Sequence, residues 1–134
     1  MKNKGYFISF EGIDGSGKST QIQRLAKFLE TLDFDVVTTR EPGGSKGGEE
    51  IRNLLLQGNV DRWSAETEIL LFTAARRDHL ERIILPALEE GKIVICDRFT
   101  DSTRMYQGMR GPNLRNLVDT INEKVINFEP DLTI

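Results

Sequence analysis

Apolar positions fall along the chain in two kinds of run, and the two kinds alternate. Tyr6 to Phe10 is a short apolar stretch closed by Glu11-Gly12 and predicts a strand. From Ser19 to Leu32, Ile22, Leu25, Ala26, Phe28, Leu29 and Leu32 recur at helical spacing. Asp35 to Thr39 is short and β-branched, a second strand, and the turn cluster Arg40-Glu41-Pro42-Gly43-Gly44-Ser45 follows it. Gly48 to Leu56 predicts a short helix stopped at Gln57-Gly58-Asn59. Ala65 to about Ile84 predicts a long helix, with Pro86 placed to bend or interrupt its continuation and Gly91 to end it. Lys92 to Cys96 is apolar without alternation from Ile93 onward, the pattern of a strand buried on both faces. Asn113 to about Phe128 predicts a last helix, ended by Glu129-Pro130, and Leu132-Thr133-Ile134 opens a further strand.

Strand and helix in alternation predict an α/β fold, a parallel β-sheet flanked by helices on both faces. In such sheets the crossovers are right-handed and ligands sit at the carboxyl ends of the strands. Chemistry is therefore expected just after residues 10, 39 and 97. With 134 residues the chain reads as a single domain, 1–134. Hydrophobic residues make up 38% and charged residues 29%, an ordinary soluble composition able to bury a core. Eighteen Lys+Arg against twenty-one Asp+Glu give a net charge of −3, which argues against nucleic acid or an anionic membrane as partner. A single cysteine, Cys96, excludes an intrachain disulfide and fits a reducing compartment. No apolar run approaches the roughly 18 residues of a membrane span. The basic N-terminus is followed by too short an apolar run for a signal peptide. A cytoplasmic location is expected.

The first of the three strand ends carries Gly12-Ile13-Asp14-Gly15-Ser16-Gly17-Lys18-Ser19, a full match to G-x-x-x-x-G-K-[ST], with a strand before it and a helix after. Glycines let successive backbone N–H groups turn inward around phosphate oxygens, and the helix that follows presents its positive dipole end to the anion. In this pattern Lys18 bridges the β and γ phosphates and the Ser19 hydroxyl reaches Mg²⁺. The competing explanation is a glycine-rich turn that caps a helix. Ile93 to Asp97, an apolar strand ending in a carboxylate, is the partner such loops use to hold the metal, although many buried strands end in Asp for turn reasons alone. Arg98 next to it is placed to clamp a second phosphate, or to form a local ion pair.

Phe72 and Arg76 share a helix face. A ring and a donor fork one turn apart suit stacking on a base and reading its edge, but periodicity alone favours Phe72 in the core and Arg76 as a surface cation. The Arg40–Ser45 segment is a turn that happens to lie at a strand's carboxyl end. Asp101 to Gln107 is rich in hydrogen-bonding groups. His79, with Arg77, Asp78 and Glu81 around it, reads as part of a solvated helix face, and Cys96 as a small buried hydrophobe. Trp63 has no assigned role.

Phe-Glu-Gly-Ile-Asp-Gly-Ser-Gly-Lys-Ser-Thr, Thr-Arg-Glu-Pro-Gly-Gly, Leu-Phe-Thr-Ala-Ala-Arg-Arg-Asp-His and Cys-Asp-Arg-Phe-Thr-Asp-Ser-Thr-Arg-Met-Tyr-Gln-Gly occur in that order, and Phe-Glu-Pro-Asp-Leu-Thr-Ile closes the chain. Together they resemble the bacterial thymidylate kinases, P-loop nucleoside monophosphate kinases, across essentially the whole chain. The resemblance implies transfer of the γ-phosphoryl of ATP to dTMP, giving dTDP, with ATP as co-substrate and Mg²⁺ as cofactor. It implies that Gly12, Ile13, Asp14, Gly15, Ser16, Gly17, Lys18, Ser19 and Thr20 hold the ATP phosphates, with Lys18, Asp97 and Arg98 catalytic and Ser19 and Asp97 on the metal. Asp14 would accept from the sugar 3′-hydroxyl, Arg40 and Glu41 would belong to the loop near the acceptor, and Arg52 and Arg98 would approach the monophosphate. Phe72 would stack on thymine, Arg76 would bond its edge, and Thr103, Tyr106 and Gln107 would line the nucleoside pocket. A homodimer is implied as well.

Two departures stand out. Met105, preceded by Arg104, replaces the small residue usual before Tyr-Gln-Gly. Family members also continue past Pro-Asp-Leu-Thr-Ile to finish the sheet and supply a lid, which carries arginines where Gly follows the loop Asp, as Gly15 does here; the chain reads as truncated. Phosphoryl transfer to a phosphate oxygen needs positioning and charge neutralisation more than a strong base. Telling dTMP from dUMP rests on one methyl group, worth roughly 1–3 kcal/mol. The alternatives are a related deoxynucleoside or nucleotide kinase, and a lidless nucleotide-binding domain without turnover.

Overall fold

The computed structural model describes residues 4–12, 17–58, 62–99 and 112–134. The expected α/β fold is present. Strand β1 (Tyr6–Phe10) leads to helix α1 (Lys18–Thr31), β2 (Val36–Arg40), α2 (Lys46–Leu56) and α3 (Ala65–His79). A π-helical turn, Leu80–Ile84, joins α3 to α4 (Leu85–Glu89). Then come β3 (Ile93–Asp97), α5 (Pro112–Ile121) with a π-helical turn at Asn122–Ile126, and β4 (Leu132–Thr133). The four strands form one parallel sheet in the order β2-β3-β1-β4.

The two central strands are apolar almost throughout, Ser9 and the closing Asp97 apart, because helices cover both their faces. Ile8, Phe10, Ile93 and Ile95 point toward α1 and meet Ile22 and Ala26. Phe7, Val94 and Cys96 point the other way, against Leu80, Ile84, Ala87, Phe99 and Ile126. On that second face the Phe7 ring meets Phe99 edge-on at 5.0 Å and stacks on Phe128 at 5.7 Å. β2, at the sheet edge, is only half-buried and exposes Thr38 and Arg40.

Pro86 acts one turn earlier than its own position. Its missing N–H and its ring are incompatible with a regular α-turn behind it, and the chain widens to π-helix over Leu80–Ile84. That keeps Leu80, Ile84 and Ala87 on the core. Helix α3 is capped by the Ser64 hydroxyl, which accepts from Thr67 N at 3.1 Å, and carries Glu66 and Glu68 in its first turn and Arg76, Arg77 and His79 in its last. The helix predicted to reach Phe128 ends at Ile126, where Asn127 turns left-handed (φ 44°) and its N–H reaches back to Asn122 O at 2.8 Å.

The topology fixes where a ligand belongs. From β1 the chain crosses over β3 to reach β2, and from β3 it crosses over β1 to reach β4. The two connections leave in opposite directions, so a crevice opens at the carboxyl ends of β1 and β3. The register puts Phe10, Asp97 and Arg40 on one rung at that edge. Phe7, fully buried between two rings, anchors the sheet behind it. Phe7→Ala is expected to destabilise the fold by about 3–5 kcal/mol, measured by urea unfolding.

Candidate active site

Lys18 opens α1 directly behind Gly17, whose φ of 84° is a left-handed conformation that suits glycine. The lysine is buried, and its Nζ lies 2.6 Å from Asp97 Oδ1 at the end of β3. The same Nζ donates to Gly12 O at 3.4 Å. The lysine thus ties the end of β1 to the end of β3 across the crevice. Two further bonds hold this edge: Arg98 N–H donates to Phe10 O at 2.8 Å, and Phe99 N–H to Glu11 Oε1 at 2.8 Å. Arg98 is half-buried and sits at φ 71°, a left-handed turn that lets its backbone return to β1.

Beside Lys18 a cleft of about 420 Å³ is lined by Ser19, Gln23, Thr39, Arg40, Glu49 and Asp97, with Ile22, Thr38 and Gly44. A hydroxyl and a carboxylate, Ser19 and Asp97, thus share one opening. Ile13, Asp14, Gly15, Ser16, Thr103, Tyr106 and Gln107 lie outside the described residues. Thr20 is exposed on the first turn of α1.

The Arg40–Ser45 segment is much more than a turn. Arg40 is exposed and pairs with Glu49, Nη2 to Oε2 at 3.1 Å. Glu49 Oε1 also accepts from Gly44 N–H at 3.0 Å, and Arg52 donates to Pro42 O at 2.9 Å. Ser45 caps α2 by accepting from Gly48 N–H at 3.0 Å and donates to Asp78 Oδ2 on α3 at 2.6 Å. Glu41 is buried, and each of its oxygens has a partner: Arg76 Nε on Oε1 at 2.5 Å, His79 Nδ1 on Oε2 at 2.8 Å. His79 Nε2 in turn lies 2.6 Å from Thr39 Oγ1.

Two expectations drawn from periodicity fail here. His79 is not on a solvated face; it is 0% exposed. Arg76 is not a surface cation but 4% exposed, with its guanidinium 5.1 Å from the centre of the Phe99 ring. The reason is the pairing with Glu41, which offsets part of the penalty of burying either group. Phe72, one turn earlier on the same face, is half-buried. Cys96 behaves as expected: it is buried, its Sγ donates to Arg98 O at 3.0 Å, and burial pushes its thiol well above the ordinary value. Glu41, His79 and Cys96 offer ligand atoms within 4.8 Å of one another. The Glu41 oxygens are already taken by Arg76 and His79, and Cys96 Sγ is turned to Arg98 O, so the group is not an open metal centre.

The thymidylate kinase family model matches residues 10–134. The chain belongs to that family. It is 66% identical over 134 residues to a thymidylate kinase from Ruegeria pomeroyi, covering 100% of this chain and 64% of the relative. It is 63% identical over 133 residues to one from Dinoroseobacter shibae, covering 99% of this chain and 64% of the relative. The crystal structure of thymidylate kinase from Ehrlichia chaffeensis superposes with a TM-score of 0.86 at 47% identity, covering 97% of this chain and 73% of that one. The chain thus spans about 64% of the length of the two curated relatives.

Sequence reading missed the network behind this kinase-family site, though a signal was present. Ile69, Thr73 and Arg76 are buried at spacings of four and three, so the core-facing stripe of α3 leads straight to Arg76 and on to His79. Glu49 generates a prediction. The Gly44 N–H and then Arg40 hold its carboxyl below the ordinary 4.5. The stability it contributes is therefore present above 4.5 and lost as pH falls through the lowered value. An NMR titration of the Glu49 carboxyl carbon should give a midpoint below 4.5, and Arg40→Ala should move it back toward that value.

Proposed function

We propose that the chain is the nucleotide-binding and acceptor-binding part of a kinase that transfers the γ-phosphoryl group of ATP to dTMP, giving dTDP for dTTP synthesis. One observation carries the reading: Lys18, last but one of a full G-x-x-x-x-G-K-S sequence, reaches Asp97 at 2.6 Å where the two crossovers diverge. Membership of the thymidylate kinase family supplies the acceptor.

In this reading the loop from Gly12 to Thr20 wraps the triphosphate, and Lys18 exchanges Asp97 for the phosphate oxygens. Asp14 takes the sugar 3′-hydroxyl. Arg52 and Arg98 hold the monophosphate, with Arg40 at the rim of the cleft and Glu41 behind it. Phe72 stacks on thymine and Arg76 bonds its edge, with Thr103, Tyr106 and Gln107 on the nucleoside. A phosphate oxygen of dTMP forms the new bond to Pγ as the bond to the β,γ-bridging oxygen breaks, and ADP leaves. The Ser19 hydroxyl and Asp97 carboxylate are hard oxygen donors facing one cleft and fit Mg²⁺; the ion would neutralise charge on the phosphates. The positive groups act at the developing charge without reorganising, which is where such sites gain most. The chain acts as a single cytoplasmic domain, pairs as a homodimer, and takes nucleotides as partners, with neither nucleic acid nor membrane; none of the described helices is long and apolar enough to cross a membrane.

A coupled ADP-release assay with dTMP, dUMP, thymidine and dGMP tests this. dTMP should be the preferred acceptor, with dUMP next, and a preference for thymidine over dTMP overturns the reading. Lys18→Met should lower turnover by about 10²-fold or more.

A further inference from the structure

Four side chains form one sequence of contacts that runs from half-buried Thr39 at the cleft to buried His79, Glu41 and Arg76. Thr39 Oγ1 lies 2.6 Å from His79 Nε2, His79 Nδ1 lies 2.8 Å from Glu41 Oε2, and Arg76 Nε lies 2.5 Å from Glu41 Oε1. The tautomer that satisfies every member carries its hydrogen on Nδ1. Thr39 then donates to Nε2, Nδ1–H donates to Glu41, and Arg76 donates to the other carboxylate oxygen. A carboxylate gripped by one oxygen rotates about its bond to the side chain; gripped by both, it cannot. The orientation of Glu41 is therefore set by His79, and the guanidinium of Arg76 is set between that carboxylate and the Phe99 ring 5.1 Å away.

The turn after Glu41 closes over this row. Gly44 has φ +89°, and a Cβ there would fall within 2.7 Å of Thr39 Oγ1 and closer still to His79 Nε2. Only a residue without a side chain lets the loop seat against the imidazole, which is fully buried. In such surroundings hydrogen bonds to ionised groups are directional and strong, and a missing member is felt by its neighbours.

We infer that Thr39, His79 and Glu41 are positioning residues for Arg76, so that recognition of the pyrimidine edge depends on groups that do not themselves meet the base. The inference rests on Arg76 reading the base, as proposed above. A guanidinium aimed at a base edge discriminates only if its direction is fixed to a fraction of an ångström. The carboxylate row supplies such a constraint to the long Arg76 side chain.

Calorimetry on the full chain with dTMP, dCMP and ATP decides the matter, with thermal melting beside each measurement. His79→Leu should weaken dTMP about tenfold, in the range of coupling within one hydrogen-bond network, and leave ATP unchanged. The preference for dTMP over dCMP should fall with it. His79→Asn, which keeps a donor near the Nδ1 position, should recover most of the loss. Thr39→Val, the mildest change and the one that carries the test if His79→Leu fails to fold, should weaken dTMP about two- to threefold. In an Arg76→Ala background the His79→Leu effect should vanish. Equal losses for dTMP and ATP, or additive losses with Arg76→Ala, mean a purely structural row and overturn the inference. If Arg76→Ala weakens dTMP while His79→Leu and Thr39→Val do not, the inference falls and the base-reading role stands. If Arg76→Ala leaves dTMP affinity unchanged, the base-reading role falls and takes the inference with it.

Discussion

Parallel pairing of β1 with β3 is the constraint from which the chemistry follows. Because both strands run the same way, their last residues meet at one edge, and the register sets Phe10 beside Asp97 with Arg40 on the same rung. The backbone bonds continue past the strands: Glu41 N–H reaches Asp97 O at 2.9 Å and Arg98 N–H reaches Phe10 O at 2.8 Å. Loops that belong to distant parts of the sequence are thereby registered against one another before any side chain is considered. Antiparallel pairing would scatter the same residues to opposite edges.

Behind that edge the molecule keeps an ion pair and an imidazole in its interior. Glu41, Arg76 and His79 lie under the 41–45 turn, at exposures of 5%, 4% and 0%. Apolar replacements of similar shape can equal or exceed such an arrangement in stability, so stability alone does not account for it. What charged groups offer and apolar ones do not is direction. The neighbouring Ser45–Asp78 and Arg52–Pro42 contacts extend the same attachment, fastening the turn to α3 and α2. The turn between β2 and α2 is thereby fastened to both helices.

The fold was legible because its signals are local: unbroken Ile93-Val94-Ile95-Cys96, the stripe of α1, the glycines before Lys18. The widening at Leu80–Ile84 was half legible, since Pro86 announces a disturbance without saying on which side it is absorbed. The interior position of Arg76 and His79 was not read. Both belong to residue types that composition places outside, and their partners Glu41 and Thr39 are some forty positions away in sequence. No window along α3 contains the carboxylate that makes their burial tolerable. The roles proposed for Phe72 and Arg76 come from the family resemblance, because spacing alone assigned both elsewhere.

The contact between Lys18 and Asp97 bears on how tightly any anion can be held. An isolated ammonium group would offer its whole attraction to a newcomer. Here a carboxylate already stands 2.6 Å away, so in the proposed function a polyphosphate would be a competitor and its grip would measure a difference between two anions. Such an exchange would moderate affinity and ease departure, a useful property wherever a spent nucleotide must leave before the next cycle begins.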